Sequence, residues 1–84
     1  MDKKDAILGL CLETKEEYEK YFNILDDDFF TGNHKIIWDT MKKTHENYFI
    51  SFEKLFLEFP EEKKYDLICL ALDLVSIGAI INNE

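Results

Sequence analysis

Apolar residues recur at intervals of three and four along almost the whole chain. Ile7, Leu8, Leu10, Cys11 and Leu12 follow an acidic start and predict a helix over residues 4–13. Thr14 is placed to cap a second helix, because its hydroxyl can reach the amide of Glu17 and Glu17 completes a capping box. Tyr18, Tyr21, Phe22 and Leu25 then mark one apolar face. Asp26-Asp27-Asp28 stops that pattern, and Thr31-Gly32-Asn33 supplies turn and cap chemistry. A third helix starts near His34 and ends at Asn47. It presents His34, Ile37, Trp38, Met41 and His45 inward, while Lys35, Asp39, Lys42 and Lys43 face out. Ser51 caps a fourth helix bearing Phe52, Leu55, Phe56 and Phe59.

Pro60 suits the first turn of another helix, and Glu61-Glu62 suits its positive end. From Leu67 to Val75 only Asp73 interrupts an apolar run. A buried strand of this length is conceivable, but its Leu and Ala content and the lack of a second strand favour helix. A helix apolar on nearly all sides is either central to the core or shared with a partner, and both readings stand open. The tail residues Ile77, Ile80 and Ile81 lean towards an interface, and with Leu74 and Val75 they form the candidate protein-binding set. The expected fold is all-α: one compact bundle of five or six short helices over residues 1–84.

Composition narrows the function. A chain of 84 residues buries only about 60–65% of the surface its unfolded form exposes. A hydrophobic share of 46% and an aromatic share of 14% still argue for a real core and against disorder. The formal net charge is −8. Such an acidic surface repels phosphate backbones, and the pairs Lys3-Lys4, Lys42-Lys43 and Lys63-Lys64 each have acids nearby, so no direct nucleic-acid binding is expected. No eighteen-residue apolar run is evident, so no membrane contact is expected, and no signal peptide opens the chain. Cys11 and Cys69 both sit among aliphatic residues and read as buried, reduced thiols of a cytoplasmic protein.

Candidate chemistry is sparse. Asp26, Asp27 and Asp28 lack the alternating ligands and distal acid of a calcium loop and read as an acidic turn. His34 and His45 are eleven residues apart, too far along one helix to share a metal. Gly9, Gly32 and Gly78 are isolated and make no phosphate loop. No catalytic, metal or cofactor-binding residue is expected. Phe29, Phe30, Trp38, Phe52, Phe56 and Phe59 could stack single-stranded bases, but their helical spacing and the net charge favour core.

One stretch carries more information. Asp28-Phe29-Phe30, then His34-Lys35-Ile36-Ile37 and Trp38, resembles the central motif in the N-terminal domain of DnaB-type replicative helicases. There, an Asp-aromatic pair precedes a His that opens a helix. Ile7-Leu8-Gly9 matches the family's opening element, and the resemblance spans about residues 5 to 75. Ser51 stands where the family usually has Asp, and Pro60-Glu61-Glu62-Lys63-Lys64 where it often has paired glycines. The second half is also similar to the helicase-binding C-terminal domain of DnaG-type primases. The resemblance implies a non-catalytic docking module of the replication machinery, with a replicative helicase, primase or loader as protein partner and homo-oligomerisation as a possibility. The alternatives it leaves are a primase domain and a free-standing regulator that mimics the helicase domain.

Overall fold

The computed structural model describes residues 2–83. Its helices are α1 (Lys3–Glu13), α2 (Lys15–Ile24), α3 (Gly32–Thr44), α4 (Phe52–Glu58) and α5 (Lys64–Asn82), with a 3-10 turn, Glu61–Lys63, leading into α5. No strand forms among the described residues, and the fold is the all-α bundle that the periodicity implies.

Local chemistry sets each boundary. Asp2 caps α1 by accepting the Lys4 amide at 2.7 Å. Thr14 closes α1 and opens α2 at once. Its own amide donates to the Leu10 carbonyl at 2.9 Å, and its hydroxyl accepts the Glu17 amide at 3.1 Å. The reciprocal half of the expected capping box is therefore missing, since the last turn of α1 already uses the Thr14 amide. Ser51 caps α4 through the Lys54 amide at 3.4 Å.

The third helix starts and ends earlier than its pattern predicts. Thr31 is the N-cap, with extended backbone and no side-chain cap bond, and Gly32 follows at φ +59. That left-handed backbone is the reason for glycine there, because a Cβ would meet nothing within 4 Å. At the other end the helix stops at Thr44. The chain then makes a tight turn in which Glu46 and Phe49 exchange backbone bonds of 3.2 and 2.9 Å.

Asn47 and Tyr48 occupy that turn at φ 51 and 60. Positive φ at both central residues defines the hairpin-type turn that usually carries Asn-Gly. Tyrosine is strained there by about 1–2 kcal/mol. Packing explains its presence: the Tyr48 ring stacks on His45 with centroids 5.6 Å apart and meets Tyr18 and Phe22 edge-on at 5.9 and 5.6 Å. Tyr48→Gly relieves the strain but removes these contacts, each worth about 0.5–1.5 kcal/mol beyond area burial. The expected net result is a chemical-denaturation midpoint lower than wild type, and a raised midpoint would show that backbone strain outweighs the ring packing.

The core centres on Leu8, Tyr18, Phe30, Ile37, Met41, Leu55 and Leu67, all 0% exposed. α1 and α5 form the main helix pair, and their backbones touch. A Cβ on Gly9 would lie 2.3 Å from the Leu74 carbonyl oxygen, and one on Gly78 would lie 2.2 Å from the Gly9 carbonyl oxygen. α5 runs through the whole apolar tail to Asn82, and its buried stripe is Leu67, Ala71, Leu74 and Gly78. By length and a mean hydropathy of 1.7, Glu61–Asn82 would also suffice to cross a membrane, which corrects the sequence expectation that no such stretch exists. Its inward stripe packs on α1, while the rest of the helix is half-buried or exposed.

Candidate protein-contact surface

The Asp28–Trp38 motif builds the centre of the molecule. Phe30 is 0% and Trp38 2% exposed, with ring centroids 5.4 Å apart, and Phe29 meets Phe30 edge-on at 4.9 Å. The Lys4 ammonium sits 5.3 Å from the Phe29 centroid, tying the acidic turn to α1. Ile37 is fully buried one turn into α3. Asp28 is exposed and makes no ion pair among the described residues.

His34 acts as a clasp. Its Nε2 lies 2.5 Å from the Asp5 carboxylate, joining the start of α3 to the start of α1 across 29 positions of sequence. The pair is about a third exposed, so its worth is that of a partly solvated bond, about 1 kcal/mol. His34→Ala and Asp5→Ala are each expected to destabilise by about that much, and a double-mutant cycle should return a similar coupling. A coupling near zero would mean the contact adds nothing.

His45 does not converge with His34. It stacks on Tyr48 and meets Tyr18 edge-on at 5.3 Å. Among the described residues no three His, Cys, Asp or Glu side chains gather as metal ligands would. Burial pushes the Tyr18 phenol well above its usual range, and its hydroxyl has no hydrogen-bond partner, so it is locked as a core ring.

The two cysteines differ, which corrects the reading of both as buried. Cys11 is 1% exposed and its Sγ lies 3.8 Å from the Glu17 carbonyl. Burial, helped by the Glu17 charge, pushes its thiol up to about 12. Cys69 is exposed on α5. At pH 8 only about one Cys11 in ten thousand is thiolate. Iodoacetamide should therefore add once to the folded chain, at Cys69, and twice only in denaturant. Two adducts without denaturant would show that α1 opens readily.

The candidate protein-binding residues fall on different sides of α5. Leu74 is 1% exposed and belongs to the core, which removes it from any surface. Val75, Ile77 and Ile81 are half-buried, and Val75 and Ile77 both pack against the core, from opposite flanks. Of the five, Ile80 points furthest outward, at 60% exposure. Its neighbours on that face are Tyr65, Leu72 and Ser76, which the sequence reading had not singled out, and Cys69, which it had placed in the core. A second apolar spot lies beside the Glu46–Phe49 turn. There, exposed Phe49 and Leu57 border a shallow groove of about 250 Å³ shared with Thr44, Glu46, Ser51, Glu53 and Lys54. The Lys54 ammonium bonded to Glu46 holds that carboxyl below its usual range.

Taken together, these features define a small all-α domain with a rigid aromatic centre and an outward apolar helix face. A model of the DnaB-like helicase N terminal domain matches residues 2–79, and the chain belongs to that family. No curated protein and no solved structure gives a significant match. The family places the chain with a non-catalytic domain of a replicative helicase, in a setting of protein–protein contact and oligomerisation during DNA replication.

Proposed function

We propose that this chain is a non-catalytic docking module of the DNA replication machinery, working in the cytoplasm by contact with a replicative helicase, a primase or a loader. The observation that carries the reading is the outward face of α5, where Tyr65, Leu72 and Ile80 stay 80%, 51% and 60% exposed on a helix whose inner stripe packs in the core of a helicase-family domain. Apolar side chains grouped in this way mark a surface that another protein covers. The acidic charge speeds and orients the encounter with a basic partner.

Sedimentation equilibrium tests the proposal, with the chain alone and mixed with a replicative helicase or a primase. A defined complex with one of them is expected, and its identity separates the helicase-like from the primase-like role. Absence of a complex with either would remove the docking function.

A further inference from the structure

The outward face of α5 pairs an apolar stripe with a one-sided charge. At about 100° per residue, Tyr65, Cys69, Leu72, Ser76 and Ile80 share one arc of about 80°, and the stripe runs about 22 Å along the helix. Asp66 and Asp73, seven residues apart, line one edge. Both are exposed, and neither is in an ion pair among the described residues. Half-buried Ile68, Val75 and Ala79 line the other edge.

Among the described residues no cation answers these two acids. Beyond Lys64 the chain has no Lys or Arg, and Lys64 itself is held by Glu61 at 3.1 Å. Some acids elsewhere are matched, Asp27 by Lys42 at 3.3 Å, Glu58 by Lys43 at 3.4 Å and Glu46 by Lys54 at 2.8 Å, while others, such as Asp28, are unpaired among the described residues like Asp66 and Asp73. The outward face of α5 thus has two unpaired acids along one edge and, on the other, only Lys64, which Glu61 holds.

We propose that this face takes an amphipathic helix of a different protein, one whose apolar stripe is bordered by lysines or arginines seven residues apart. The inference rests on the docking reading above and names its partner's chemistry. A basic segment without an apolar stripe leaves Tyr65, Leu72 and Ile80 in water. A second copy of this chain covers them but brings its own Asp66 and Asp73, no cation on that face, and a further net charge of −8. A helix of opposite charge satisfies both features, with its stripe laid along α5 and its cations over Asp66 and Asp73. One helix on one helix covers less than the ~800 Å² per partner of a stable complex, so a weak, salt-sensitive contact is expected.

The test uses the full chain and two synthetic helical peptides with the same leucine stripe, one bordered by lysines and its twin by glutamates. Fluorescence anisotropy should show the lysine peptide binding at least about tenfold more tightly. Leu72→Gln with Ile80→Gln should weaken it by about tenfold or more. Asp66→Lys with Asp73→Lys should reverse the preference towards the glutamate twin, while Glu16→Lys with Glu19→Lys on α2 should leave the ranking unchanged. All changed positions are exposed, and melting curves by circular dichroism check that each variant folds.

Equal binding of both peptides, or binding indifferent to the Leu72 and Ile80 changes, overturns the proposal. So does concentration-dependent dimerisation abolished by those changes, which assigns the face to a second copy. Binding to phosphatidylcholine vesicles in place of the peptide overturns it too. If the peptides fail while a complex with helicase or primase still forms, this inference falls and the docking reading stands. If both fail, both fall.

Discussion

Replacing Gly9 or Gly78 by alanine is expected to lower the melting temperature by about 10–20 °C, equivalent to about 2–4 kcal/mol in a domain of this size. The sign decides between two effects. Alanine favours helix over glycine by about 1 kcal/mol, so an uncrowded site would gain stability. Here the new methyl would sit 2.3 Å from the Leu74 carbonyl oxygen in one case and 2.2 Å from the Gly9 carbonyl oxygen in the other. Those atoms are backbone, so relief requires α1 and α5 to move apart. Separation loosens the packing of Leu8, Leu67, Ala71 and Leu74, all buried at or beside the crossing.

The pair should also be strongly non-additive. Both methyls press on the same crossing, so the double variant is expected to be little worse than the poorer single one, and it regains helix propensity at a second site. The same pair of measurements explains the Ile7-Leu8-Gly9 element physically: its glycine lets α5 approach. Thermal melts by circular dichroism settle the matter, and a Gly78→Ala variant more stable than wild type would show that the two helices do not touch there.

The helices were legible because their signals are local. Thr14 and Ser51 cap where their side chains predict, and the three-and-four spacing of Tyr18, Ile37, Trp38 and Met41 selects buried residues. Errors came where the deciding contact is distant in sequence. Glu46-Asn47-Tyr48-Phe49 lacks the glycine of a tight turn, and Tyr48 is held there by Tyr18 and Phe22 on α2, thirty and twenty-six positions away. In α5 the difficulty is direction. A helix apolar all round gives no inner side, so Leu74 could be read as surface and Cys69 as core. Two signals do point the right way. Asp66 and Asp73 face water, and the side opposite them carries Ala71, Val75 and Gly78, whose small residues mark close approach. The exposed apolar face of α5 was half visible for the same reason: the tail hydrophobicity pointed to Ile80, whereas the exposure of Tyr65 and Leu72 needed the helix rotation that the α1 contact sets.

Trp38→Ala is expected to remove about 3–5 kcal/mol, the range for a large aromatic deleted from a packed core. Trp38 is 2% exposed and stands between Tyr18, at 5.5 Å and 72°, and Phe30, at 5.4 Å. It thus joins the α2 face to the turn before α3, and no neighbouring backbone can close the void without moving one of them. Domains of this size hold only about 5–10 kcal/mol in total, so the variant should be partly unfolded near 37 °C. Trp38 is the only tryptophan, so its fluorescence reports on the wild type alone and the comparison needs circular dichroism in urea. Phe22→Ala provides the control. Phe22 belongs to the same aromatic cluster but is 36% exposed, and its loss should cost less than half as much. Equal effects at the two positions would mean that ring contacts stabilise this domain irrespective of burial. A clear excess at Trp38 places the stabilising centre in the turn and helix start that carry the Asp28–Trp38 motif.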